Sequence, residues 1–273
     1  MTALDHRWHQ YFAAALAALE TPEFAPALVR ALARIAEFDF SVIFGYCGEA
    51  RPIDLFNNFP AARRDVFVAD YQAGPYLLDP FYHASRDRVP SGLHRMRDLA
   101  PDRFYQSQYY RSYYARTGLA EEIGFFLSPS SDATVVISLM RDGHCTVFPA
   151  REMNRLQQVA PVVIAAAERH WRGLKAQASP PAGTRLHPGP QALPSGLDLS
   201  TLFDAFGERP LTRREREVGG LVLRGHSSEA IARQLKIAPG TVKIHRKNIY
   251  AKLGIASQAE LFSLFLSSLA GRT

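Results

Sequence analysis

At 273 residues, 47% of them apolar, the chain is long enough for two ordinary domains with separate cores. A formal charge of +6 excludes an acidic solvating chain, and no apolar run approaches the ~18 residues of a membrane-spanning helix. Cys47 and Cys145 form no Cys-x-x-Cys pair, and Met1 to Trp8 lack an apolar run behind a basic end, so neither a disulfide framework nor an export signal is expected, and a cytoplasmic location is.

Residues 4–20 and 22–37 read as amphipathic helices, with Thr21 as the cap of the second and Pro22 in its first turn. Residues 39–47 are dense in β-formers, and 52–59 make a weaker second strand paired to them across Gly48-Glu49. Helix resumes over 62–72. The stretch 74–99, broken by Pro75, Pro80 and Pro90, reads as loop-rich, and 102–116 as an aromatic-rich helix. A second hairpin joins 120–127 to 133–140, and 145–148 adds a short strand. Residues 150–174 form one long helix with Met153, Leu156, Val159, Val163 and Ala167 on one face. Its small residues Ala165 to Ala167 make it the candidate seam of a homodimer. The strands are apolar nearly throughout, so both sheet faces should be covered. The expected fold is α+β, an α-β-α sandwich around an antiparallel sheet. Residues 178–195, rich in Pro, Gly, Ser and Ala, read as linker, and 197–206 as a short helix. The expected division is therefore 1–174, a linker with a short helix over 175–206, and 207–273.

Charge separates the last segment from the rest. Residues 207–273 hold 12 Lys/Arg against 5 Asp/Glu, whereas the remainder holds 20 against 21. Excess positive charge confined to one segment is the footprint of a polyanion partner. Thr212, three residues before Glu215, opens a helix with a capping-box pattern, and Gly225 ends it after Arg224. Ser227 and Ser228 cap a second helix, 229–235. After the turn Lys236 to Gly240, a third runs from Thr241 to Leu253. Val242, Ile249 and Leu253 fall on one side of it, with His245 and Arg246 at the edges. Lys243, Ile244, Lys247, Asn248 and Ala251 fall on the other. A solvated basic face would explain a few lysines. Two helices joined by a short turn, the second one basic, instead make a helix-turn-helix. An apolar helix over 258–269 completes four, and Gly219-Gly220 should leave the first soft or closely packed.

The pattern Leu211-Thr-x-Arg-Glu-x-Glu-Val218, with Gly225-x-Ser227, Ile231-Ala232, Leu235-x-Ile237, Thr241-Val-Lys-x-His245, Asn248-Ile249 and Lys252-Leu253, resembles the LuxR-type helix-turn-helix domain. The resemblance covers about the last quarter of the chain. It implies a C-terminal all-α four-helix DNA-binding domain in which Lys243, Ile244 and Lys247 approach base edges and Thr241 sits at the phosphate backbone. Asn248 lies on the same outward side. The implied partner is double-stranded DNA with a two-fold operator, met by a homodimer. Ala238 stands where the family has Ser or Thr, leaving the cap to Thr241 or the Pro-Gly backbone. The preceding elements resemble, more locally, the ligand-binding domain of the same family, at Tyr71 to Asp79-Pro80 and at Gly118 to Gly124. In its acyl-homoserine-lactone receptors an Asp-Pro supplies a carboxylate to the ligand amide, a role the resemblance gives to Asp79. Those receptors also place Trp in the pocket. Here Trp8 and Trp171 are distant in sequence, and Phe67 and Leu93 donate no hydrogen bond.

Instead, tyrosines crowd this region. They read either as core rings with hydroxyls at the rim or as a box of rings around one carboxylate. The box would be Asp79 with Tyr71, Tyr76, Tyr82, Tyr105 and Tyr109, where Tyr105, Tyr109 and Tyr113 share a helical face. Rings attract cations and Asp neutralises them, so an amine or aromatic metabolite is expected ahead of an acyl lactone. The alternatives are a front domain that only dimerises and an acyl-homoserine-lactone quorum sensor. No catalytic residue is assigned: there is no Gly-x-Ser-x-Gly elbow, phosphate-cradling loop or His-Glu-x-x-His, and Glu121-Glu122 point to opposite faces of a strand. His83, His94 and His144 lack metal-ligand spacing, and no cofactor is expected. A phosphorylated receiver needs a Lys that the first 170 residues lack. Arg86-Asp-Arg88 and Arg95-Met-Arg97 read as solvated charges, either able to meet an anionic ligand.

Overall fold

The computed structural model describes residues 7–48, 50–144, 147–175 and 211–270, the side chains of 269 and 270 excepted. Its helices are α1 (Trp8–Ala17), α2 (Phe24–Leu32), α3 (Ala61–Arg64), α4 (Pro80–Arg86), α5 (Met96–Leu99), α6 (Gln108–Ser112), α7 (Ala150–His170), α8 (Arg213–Arg224), α9 (Ser228–Leu235), α10 (Pro239–Leu253) and α11 (Gln258–Ala270). Its strands are β1 (Phe40–Cys47), β2 (Ile53–Asn57), β3 (Gly92–Arg95), β4 (Leu119–Ser130) and β5 (Ala133–Asp142). The chain forms two compact units. One gathers the residues before 69, 83–99 and the stretch from 118 through α7. The other gathers 69–82, 100–117 and the C-terminal helices.

In the first unit the five strands form one antiparallel sheet in the order β2-β1-β5-β4-β3. Ile43 lies beside Ile137, Ile137 beside Phe125 and Phe125 beside Leu93. Because side chains alternate across a strand, this row shares one face. That face, with Ile123, Leu127, Val135 and Leu139, makes a single core with α1, α2 and α7. Val42, Phe44, Phe126, Val136 and Met140 of the opposite face are buried as well. Near them the Phe59 ring stacks on Phe67 at 4.2 Å and meets Phe40 at 5.6 Å.

The expected apolar face of α7 is real, but Met153, Leu156, Val159, Val163 and Ala167 are buried against the chain's own sheet core. That face serves the chain's own core, and of the small residues expected at a seam Ala166 and Ala167 are buried with it while Ala165 is exposed. The exposed residues of α7 include Val162 and Ala165. Thr21 is not a helix cap: its hydroxyl donates to the Ala18 carbonyl inside the turn, and Glu23 precedes α2. Within the loop-rich residues 74–99 lie α4, β3 and α5, which the prolines conceal. Val147-Phe148 are not strand, and Cys145 lies outside the described residues, as do the linker and the short helix expected over 197–206.

Arg95 shows why β3 escaped a reading by pattern. It is not solvated: it pairs with buried Glu121 on β4, and its other guanidinium nitrogen donates to the Phe148 carbonyl at 2.9 Å. The Phe148 N–H donates to Glu121 at 2.6 Å. The edge strand is thus pinned by a tertiary charge pair rather than by apolar alternation. Removing one member of a buried pair leaves the other charge desolvated and alone. Arg95→Ala should lower unfolding stability by about 3–5 kcal/mol, measured by urea denaturation followed by circular dichroism.

Candidate nucleic-acid interface and aromatic box

The C-terminal helices form as their end signals dictate. Thr212 caps α8, its oxygen accepting from the Glu215 N–H at 3.3 Å while the Thr212 N–H donates to the Glu215 carboxylate at 2.7 Å. Gly225 ends α8 at φ +97°, and Ser227 caps α9 by accepting from the Ala230 N–H. Pro239 occupies the first turn of α10, and Ala238 before it contributes no side-chain cap. Thr241 does not take over that task with its hydroxyl; its backbone N–H donates to the Ala238 carbonyl at 3.0 Å. Gly219 is buried within a continuous α8, which meets the expectation of close packing.

Val242 and Ile249 are buried, Leu253 is half-buried, and Lys243, Ile244, Lys247 and Asn248 are exposed. Ile244 is 60% exposed, an unusual position for an isoleucine on a helix that buries two other apolar residues. Thr241 is half-buried at the helix start. Beside this face lies a hollow of about 570 Å³ lined by Lys243, Lys247, Arg246 and Tyr250 from α10, Ser228 and Glu229 from α9, and Arg103. Arg246, read from sequence as an edge residue, reaches Ser228 and Tyr250 oxygens at 3.5 Å. Arg103 carried no sequence signal toward this surface.

The tyrosine region of the same unit centres on Asp79, which is 7% exposed. The Tyr71 hydroxyl donates to one carboxylate oxygen at 2.5 Å and the Phe81 N–H to the other at 2.9 Å. Burial pushes the Asp79 carboxyl up to about 6, against the opposing pull of the Tyr71 and Phe81 hydrogen bonds. Tyr76 lies 6.1 Å from Tyr71, ring centre to ring centre, and meets Tyr82 edge-on at 5.1 Å. Tyr113 links Tyr71, at 6.4 Å, to Tyr109, at 5.6 Å. Asp79, Tyr71, Tyr76, Tyr82 and Tyr109 are thus brought into one connected, buried group.

Tyr105 is not. Residues 104–106 and 114–117 are 3₁₀ turns flanking the short α6, so the single helical face expected for Tyr105, Tyr109 and Tyr113 is broken, and Tyr105 is 52% exposed. Ring spacing alone could not reveal this break. Trp8 and Trp171 lie in the core formed with α1, α2 and α7. Arg86 and Arg88 border a separate polar hollow of about 480 Å³ with serines of the β4–β5 turn. Among the described residues no cluster of metal-ligating side chains occurs, and no helix is long and apolar enough to cross a membrane.

Comparison with known proteins places these features in context. Residues 209–265 match the family described as bacterial regulatory proteins, luxR family. The chain is similar to a putative HTH-type transcriptional regulator in the exeN 3' region of Aeromonas salmonicida, 36% identical over 193 residues, covering 70% of this chain and 94% of the relative. It is also similar to the monoamine regulon transcriptional regulator of Klebsiella aerogenes, 30% identical over 219 residues, covering 80% of this chain and 79% of that one. Among solved structures it is similar to the VqsR LBD domain of Pseudomonas aeruginosa, with a TM-score of 0.53 and 25% identity over 61% of this chain and 96% of the other.

The raised Asp79 carboxyl has a stability consequence of defined sign. The fold favours the neutral acid, so this stabilisation is complete below the ordinary value of 3.8 and is lost as pH rises through about 6. Asp79→Asn should remove that part of the pH dependence, flattening a melting-temperature series between pH 4 and 6.5 relative to the parent chain.

Proposed function

Since the chain belongs to the LuxR family of bacterial transcriptional regulators, we propose that it is a DNA-binding regulator gated by a small amine or aromatic metabolite held at Asp79. The observation that carries the effector reading is a buried carboxylate ringed by tyrosines. A cation there gains both the charge and the ring faces. Similarity to a regulator named for a monoamine regulon supports the amine, and similarity to a structure titled as an LBD domain supports a ligand-binding front portion. The two tryptophans, packed among α1, α2 and α7, favour an amine over an acyl lactone.

In this reading residues 1–174 sense and dimerise, 175–206 link, and 207–273 bind DNA. Lys243, Ile244, Lys247 and Asn248 enter the major groove, and Thr241 meets the backbone near the helix start. A cytoplasmic homodimer presents two copies of α10 to a two-fold operator. Control of transcription through DNA binding needs no catalytic group from the chain. One observation favours the second reading, a front portion that only dimerises: Tyr71 and Phe81 already satisfy both oxygens of Asp79. DNA affinity independent of any small molecule would support it.

Two measurements test the proposal. A thermal-shift screen should give stabilisation by amines or aromatic metabolites and none by acyl lactones; the reverse ranking sinks the effector assignment. Lys243→Ala and Lys247→Ala should each weaken operator binding by ~1–3 kcal/mol in gel shifts, and unchanged affinity in both would show that α10 does not read the operator.

A further inference from the structure

Arg103 lies more than a hundred residues before the helix-turn-helix in sequence, yet its side chain lines the same hollow as Lys243, Arg246 and Lys247. Its backbone is held there at two points. The Arg103 N–H donates to the Gly225 carbonyl at 3.0 Å, and the preceding Asp102 accepts from the Ser227 N–H at 2.9 Å. Both partners belong to the corner between α8 and α9. The seat is close-fitting: a Cβ at Gly225 would stand 3.0 Å from the Phe104 Cα and 3.1 Å from the Ser107 Cβ. Gly225 is thus required twice, by its φ of +97° and by what lies over it. Phe104 behind Arg103 is fully buried, while Arg103 itself is exposed.

Four cations from two segments therefore border one hollow in which, among the described residues, the one carboxylate is Glu229. Like charges converging on one concavity repel unless an anion enters it. The hollow reaches from the start of α9, where the first helix of this motif crosses the sugar-phosphate strand, to Lys243 and Lys247 of α10. We propose that Arg103 is a phosphodiester contact supplied from outside the helix-turn-helix, and that the clasp from Asp102 and Arg103 to the α8–α9 corner positions it. The proposal rests on the reading of α10 as the recognition helix. It extends the DNA surface into a segment that also carries Tyr109 and Tyr113.

The test uses the full chain and a fluorescein-labelled, mixed-sequence duplex, because backbone contacts act on any sequence. Affinity is measured by anisotropy across a salt series, with Lys247→Ala as control. Arg103→Ala should weaken binding roughly 5- to 20-fold and shallow the log–log salt slope by about 0.9, the release of one counterion. Arg103→Lys should restore most of the affinity, since a phosphate accepts a point charge. Asp102→Ala should also weaken binding although it removes a negative charge, which on charge alone would tighten it. If Lys247→Ala weakens binding and Arg103→Ala does not, the proposal falls and the recognition-helix reading stands. If neither changes, the recognition-helix reading falls and takes the proposal with it. Tighter binding by Arg103→Ala would make the segment a lock and overturn the contact. Unchanged binding by Asp102→Ala alongside a loss in Arg103→Ala would overturn the positioning role of the clasp.

Discussion

Glu215 is the charge on which the geometry of the C-terminal helices depends. It is 3% exposed, yet one of its oxygens accepts from the Thr212 N–H at 2.7 Å, the Thr212 hydroxyl at 3.0 Å and the Lys252 ammonium at 2.7 Å. Burial alone would push its carboxyl up, but Lys252 and Thr212 outweigh that and hold it below the ordinary carboxylate range. It therefore stays ionised at neutral pH. The same anion closes the first turn of α8 and stakes the last turn of α10. With Val242 and Ile249 buried on its inner side, α10 has no freedom to roll, and its outward row of Lys243, Ile244, Lys247 and Asn248 follows from that.

This part of the molecule was legible in the sequence because its rules are local. A cap three residues before a Glu, a glycine after the last turn and a proline in the first turn each act within a few residues. The helical projection of α10 separated its buried and exposed residues for the same reason. The front portion was legible where β-formers are dense and hairpins are short, as in β1, β4 and β5. It was not legible where distant partners decide. Gly92 to Arg95 has no apolar alternation, and it is a strand because Arg95 finds Glu121 and the Phe148 backbone. Residues 102–116 have strong helical spacing of rings, but Ser107 caps a new helix in mid-run and breaks the periodicity on which Tyr105 was grouped with Tyr109. Arg103 gave no signal because its surroundings come from residues far along the chain.

The long helix α7 shows how far a correct pattern reaches. Its apolar stripe is where the sequence places it, and Ala166 and Ala167 sit in close contact. That contact is with the sheet of the same chain, which needs a cover for Ile137 and Phe125 as much as a second copy would. An amphipathic stripe states that a face is buried. It does not state against which molecule.

The seating of Asp102 to Ser107 on the α8–α9 corner limits how freely such a protein is cut and recombined. A fragment beginning at residue 207 would carry α8 to α11 but leave the floor around Gly225 bare and return the Ser227 amide to solvent. Chimeras that join this DNA reader to a foreign sensor would inherit the same mismatch unless the donor also brought an Asp and a bulky ring to that corner. A transplant that keeps this corner intact would have to carry Asp102 to Ser107 along with α8 to α11.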